Sequence, residues 1–205
     1  MNAPQRTEEW LSERAGHATA SRFSDVTAKI KTGEAATRRK YRMQLVTERL
    51  TGNPVSGFQS SAMLWGTMTE PEARMAYEEK TGEIVCETGF IKHSEIAWCG
   101  ASPDGEIGQG GMVEIKCPES TTHLEWMESG KAPAEHIPQI QGQMWVTGRK
   151  WVDFVSYDPR FPAGLQLFVV RVPRDDEYIK TLEAEVRTFL DEVDGMVKRL
   201  LERKS

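Results

Sequence analysis

The sequence predicts an α/β fold, a central mixed sheet of about five strands flanked by helices. Three observations predict it. Segments with helix start and stop signals fill the chain as far as Lys80, and one apolar helical face runs from Asp175 to the end. Between them, short runs separated by turn residues have the character of strands. No repeat, low-complexity block or Pro/Gly/Ser-rich linker interrupts the chain, so one domain is expected over residues 1–205.

Taken in order, Thr7 to Arg14 reads as a short helix, and Thr19 or Ser21 as the cap of a second one through Phe23, Val26 and Ile30. A basic helical stretch (Arg38, Arg39, Lys40, Arg42) covers about Glu34 to Leu50 and stops at Gly52-Asn53-Pro54. A longer helix is expected from Ser61 to Lys80, closed by Thr81-Gly82. Strands are expected at Glu83–Lys92, Ile96–Ala101 and Met112–Cys117, with Gly105, Gly108, Gly110 and Gly111 supplying a turn before the last. A helix at Pro133–Val146 precedes strands at Trp151–Tyr157 and Leu165–Val172. In the final helix Ile179, Leu182, Val186, Phe189, Leu190, Val193, Val197 and Leu200 share one face, whose simplest use is to pack on the chain's own core.

Composition narrows the function classes. Hydrophobic content of 39% and charged content of 28% are those of a soluble globular protein. No stretch is long and apolar enough to span a membrane, and the N-terminus has no signal-peptide core, so a cytosolic protein is expected. Cys86, Cys99 and Cys117 are odd in number without CxxC spacing, which reads as reduced thiols rather than a disulfide framework or zinc site. A net charge of −5 disfavours a passive nucleic-acid binder but not a metal-centred enzyme, whose cations offset its carboxylates.

The segment with most chemical content runs from Ser102-Pro103-Asp104-Gly105 to Glu114-Ile115-Lys116, nine residues separating Asp104 from Glu114. On a strand Glu114 and Lys116 share a face while Ile115 points to the core. If the strand leading into Asp104 pairs with the strand of Glu114, two carboxylates meet and call for a cation between them. Oxygen donors suit Mg²⁺, with Mn²⁺ an alternative and two ions a natural complement; the Ile115 carbonyl is a further donor. Such a site fits phosphodiester hydrolysis. Lys116 there could orient the attacking water, stabilise developing charge or, with a lowered pKa, act as a base. Alone, strand-borne E-x-K is also a common solvated ion pair. Two further elements add to it. Glu70 lies in the helix before the sheet as a third carboxylate, and Gln139 and Gln143 share a helix face one turn after His136.

With these residues in place, the chain resembles the phage lambda-type exonucleases, the YqaJ-like viral recombinases of the PD-(D/E)xK nuclease superfamily. The resembling stretches are Trp10–Ser21, Leu64–Tyr77, Cys99–Pro118 and Pro138–Arg160, about a third of the chain in the family's order, including QMWVT and YDPR. Lys31–Ser60 and Glu119–Pro133 depart from the pattern. The resemblance implies a restriction-endonuclease-like core, with Glu70, Asp104 and Glu114 holding Mg²⁺, Lys116 assisting the water and Gln139 in the active site. It further implies that Arg14, Ser21 and Ser102 hold a 5′-terminal phosphate and that Met63 wedges into the duplex end. Ser21 near a helix N-terminus adds a dipole argument for that anion site, and Arg38–Arg42 could touch the DNA backbone. The implied activity is a 5′→3′ exonuclease on linear double-stranded DNA, releasing 5′-mononucleotides and leaving a 3′ strand for a single-strand annealing protein, from a homotrimer. An endonuclease of the same fold and an inactive DNA-binding scaffold are the alternatives.

Overall fold

The computed structural model describes residues 3–55, 57 and 60–203. Thr7 caps the first helix, α1 (Glu8–Arg14), its hydroxyl accepting from the Trp10 amide, with Glu8 and Glu9 in the electropositive first turn. β1 (Ala18–Thr19) leads to a 3₁₀ turn (Ala20–Arg22) and to α2 (Phe23–Val26), a single turn long. The helix expected through Ile30 is therefore cut short. The Thr27 hydroxyl donates back to the Phe23 carbonyl, and Ile30 is exposed. α3 (Ala36–Thr51) and α4 (Ser61–Thr81) then match the expected helices, each ending on a left-handed glycine, Gly52 or Gly82.

The middle of the chain is more finely divided than the sequence suggests. The run from Glu83 to Lys92 is two strands, β2 (Val85–Cys86) and β3 (Ile91–Lys92), because Phe90 turns inward to cover Gly100. β4 (Cys99–Ala101) precedes β5 (Gly105–Ile107), a strand lying within the expected glycine turn; the turn itself is confined to 108–110. Gly105 belongs in a strand here because a Cβ would stand 2.2 Å from the Val85 side chain. β6 (Gly111–Lys116) follows, then α5 (Ser120–Ser129), expected as loop. Its inward residue is His123, bonded to the Ser156 hydroxyl at 2.7 Å and the Leu165 carbonyl at 2.9 Å, so the helix has no apolar stripe to announce it. α6 (Ile137–Thr147), β7 (Trp151–Tyr157), β8 (Leu167–Pro173) and α7 (Asp176–Glu202) complete the order.

The main sheet has the order β2-β5-β6-β7-β8 and is mixed, with β6 and β7 parallel and the remaining pairs antiparallel. A smaller sheet has the order β1-β4-β3. The strand leading into Asp104, β4, thus belongs to the small sheet; it is the strand leading out of Asp104, β5, that pairs with β6. One face of the main sheet is closed by α4 through Ala73 and Tyr77, and Tyr77 donates to Asp153 at 2.7 Å. α6 covers the other face through Ile140 and Met144. Gly142 allows α6 its close approach to α2, since a Cβ there would lie 2.4 Å from the Phe23 ring. The apolar face of α7 packs on the chain's own α2 and α3 around Tyr41, Leu45 and Phe189.

Candidate active site

The register of β5 on β6 builds the centre. Gly105 pairs with Val113, so one step further Asp104 stands opposite Glu114. There the ladder ends, and Asp104 Oδ2 takes over by accepting from the Ile115 amide at 2.7 Å. Glu114 and Lys116 share a face as expected, and Lys116 Nζ lies 2.5 Å from Glu114 Oε1. Ile115 points into the apolar cluster of Tyr77 and Val155. Glu114 is only 1% exposed, and two amides from α6 meet it: Gln139 Nε2 donates to Oε1 at 2.6 Å and Gln143 Nε2 to Oε2 at 2.5 Å. Gln139 Oε1 in turn accepts from Lys116 at 3.4 Å.

The third acid comes from α4, which Tyr77–Asp153 and Tyr157–Glu72 hydrogen bonds hold against the sheet. Glu70 precedes Pro71 within that helix and is ion-paired with Arg6. Arg6, Glu70, Thr88 and Asp104 line a cavity of about 280 Å³. Arg6 adopts φ 70°, a left-handed conformation uncommon for arginine. The segment before it is held by Gln5, whose amide donates to the Thr88 and Pro103 carbonyls.

Negative charge is in surplus here. Burial and then the charges of Glu114 and Glu70 hold the Asp104 carboxyl well above the usual carboxylate range. Burial opposes the Lys116 charge, but Glu114 and Asp104 outweigh it and raise its pKa. The nearby Cys117 thiol is pushed up to about 12 by burial and by Glu70 and Asp104. Among the described residues no three acidic, His or Cys side chains form a ready-made metal cage; Arg6 and Lys116 stand among the carboxylates instead.

A second cavity, of about 330 Å³, is lined by Trp10, Arg14, Thr19, Ser21, Tyr41 and Met63. Arg14 stacks over the Trp10 ring at 4.0 Å and reaches the Thr19 and Ser21 hydroxyls, each at 3.4 Å. No carboxylate among the described residues pairs with it, and burial lowers its pKa. Ser102 meets this group through Trp10, whose indole N–H donates to its hydroxyl at 3.1 Å. The dipole argument for Ser21 is not sustained: it sits inside the 3₁₀ turn, and the helix beyond is four residues long. Met63, in the first turn of α4, is 57% exposed on the cavity rim rather than in the core. The basic run is half spent internally, Arg38 and Arg42 being paired with Glu34 and Glu192, while Arg39 and Lys40 are exposed. His136 packs on Trp126 and Phe154.

Residues 9–150 match the model of the YqaJ-like viral recombinase domain. The chain belongs to this family. Among solved structures it is similar to an alkaline exonuclease (LHK-Exo) from Laribacter hongkongensis, at 46% identity over 97% of this chain and 98% of the other, with a TM-score of 0.91. The same exonuclease in complex with dAMP matches equally. A phage-related exonuclease from Haemophilus somnus 129PT shares the fold, at TM-score 0.68 and 16% identity over 92% of this chain and 96% of that one. No curated protein matches the chain.

Sequence reasoning passed over Trp10 and Arg6, and it placed Gln143 on the face of Gln139 without naming Glu114 as its partner. Trp10 lies four residues before Arg14 on α1, a spacing at which a ring and a cation meet. Nothing local marks Arg6, whose partner is 64 residues away.

Proposed function

We propose that this chain is a metal-dependent exonuclease that degrades one strand of linear double-stranded DNA from its 5′ end, releases 5′-mononucleotides and leaves a 3′ single strand for recombination by annealing. The carrying observation is the meeting of Glu70, Asp104 and Glu114 around Lys116, in a chain 46% identical to an alkaline exonuclease. Nucleases of this family typically need a divalent metal. The donors fit one: they are hard oxygens, and burial together with the charges of Glu114 and Glu70 already raises Asp104. Asp104, Glu114, Glu70 and the Ile115 carbonyl would hold one or two Mg²⁺ or Mn²⁺ ions. When bound, these supply an activated water and neutralise phosphate charge.

The chain's own groups have separate tasks. Lys116, beside Glu114 Oε1, orients the attacking water or offers positive charge where the reacting phosphate gains negative charge. Gln139 fixes Glu114 Oε1 through its amide and faces Lys116 through its carbonyl. Arg14, unpaired with any carboxylate among the described residues, receives the 5′-phosphate together with Ser21 and Ser102. Met63 on the rim enters the duplex end. A homotrimer handing its product to a single-strand annealing protein, and one domain over 1–205, complete the reading.

The test compares linear duplexes with 5′-phosphate or 5′-hydroxyl ends, in Mg²⁺ and in chelator, each strand labelled at either end. Metal-dependent mononucleotide release, faster from phosphorylated ends and with that preference lost in Arg14→Ala, is the expected result. Internal cuts without end dependence make it an endonuclease of the same fold. No cleavage with any divalent ion leaves an inactive DNA-binding protein.

A further inference from the structure

The second amide on Glu114 carries an inference that rests on the metal-site reading above. An ionised carboxylate has about four acceptor positions, two on each oxygen. On Glu114, Oε1 receives both Lys116 Nζ at 2.5 Å and Gln139 Nε2 at 2.6 Å. Among the described residues Oε2 receives only Gln143 Nε2, at 2.5 Å, and so keeps one acceptor position. Gln143 is 0% exposed, and its side-chain Oε1 has no partner among the described residues. A buried amide oxygen without a donor is destabilising, and an apolar side chain of similar size would avoid the cost. The bond to Glu114 Oε2 is the one hydrogen bond of this amide among the described residues. The orientation is also fixed by chemistry, since a carboxylate only accepts and the amide nitrogen must therefore face it.

We propose that Gln143 is a positioning residue of the metal site: its amide N–H fixes the Glu114 carboxylate and with it the direction in which Oε2 presents its remaining acceptor position to a divalent cation. Gln141, on the same helix, provides the contrast. It is also buried, but its amide donates to the Pro173 carbonyl and accepts from the Asp175 amide, each at 2.9 Å, which ties α6 to the start of α7. One turn of helix thus carries a glutamine directed at the acidic centre and a glutamine directed at the fold.

Mn²⁺ alone, titrated without DNA and followed by electron paramagnetic resonance, tests this in the full chain. Gln143→Met removes the donor with little change of volume and is expected to weaken Mn²⁺ binding about tenfold, the size seen when a partner of a metal ligand is lost. Gln141→Met is expected to lower Tm while keeping Mn²⁺ affinity within about twofold of wild type. If Gln143→Met does not fold, Gln143→Asn, whose amide falls a methylene short, is measured in its place. A folded Gln143 variant with unaltered Mn²⁺ affinity, alongside an Asp104→Asn variant that loses binding, overturns this role and leaves the metal site standing. Absence of Mn²⁺ binding by the wild type overturns both.

Discussion

The acidic centre and the pair Asp153 and Asp158, within and just after β7, both place carboxylates wholly or partly out of water, yet their charges are settled differently. Asp153 is held by both nitrogens of an Arg171 fork at 2.8 Å, and Asp158 by Arg160 at 2.7 Å and Ser120 at 2.7 Å. Each has its own arginine, and each arginine is about half exposed, so its far side remains hydrated. At the centre, three carboxylates, Glu70, Asp104 and Glu114, meet two cations, Arg6 and Lys116. The balanced pairs stabilise the fold. The unbalanced cluster costs stability, the pattern of a site organised for chemistry, and the cation proposed to bind there would offset its surplus charge.

The largest effect that could break this contrast is on turnover. Asp104→Ala and Lys116→Ala are expected to slow mononucleotide release by at least about 100-fold, with DNA binding retained in a gel-shift assay. Cutting at the wild-type rate by both would falsify the site assignment. Next in size is stability. Asp158→Ala strips a buried network of its acceptor and is expected to cost about 2 kcal/mol, a fall in Tm of roughly 4–8 °C for a chain of this size, with Mn²⁺ affinity unaltered. Asp104→Asn, measured in chelator, is expected to raise Tm because it removes a charge that burial and the neighbouring Glu114 and Glu70 disfavour. If both variants moved Tm the same way, the distinction between the two regions would be lost.

The pH dependence sharpens the same point. Burial works against the Asp158 charge, but hydrogen bonds from Arg160 and Ser120 prevail and hold its carboxyl at about 2, below its ordinary 3.8. Its pairing therefore contributes stability that is fully present above pH 3.8 and is lost as pH falls toward 2. Tm measured across that window is expected to fall less steeply in Asp158→Asn than in wild type; equal slopes would remove Asp158 from the account. The smallest expected effect is at Arg6. Its pair with Glu70 is half exposed and weak, so Arg6→Gln is expected to tighten Mn²⁺ binding about two- to threefold. Weaker binding in that variant would make Arg6 a support of the centre rather than a competitor for it.

Where the sequence was legible, the relevant physics was local. β7 occupies Trp151–Tyr157 as expected, α1 and α4 match their capping and glycine signals, and Glu114 and Lys116 share a face because alternate strand residues must. The signal failed where burial was polar or pairing distant. α5 buries a histidine, α2 stops after one turn, and β4 pairs away from β6.

The sequence by itself determined the fold class, the family and the residue types of the acidic centre, since period, turn chemistry and motif spacing are properties of short stretches. Tertiary structure alone decided that Gln139 and Gln143 meet Glu114 while Gln141 turns to Pro173, that Arg6 reaches Glu70, and that Trp10 joins Ser102 to the Arg14 cavity. Those contacts join residues far apart in the chain, and each depends on the angle at which helices lie on the sheet, which no local pattern encodes.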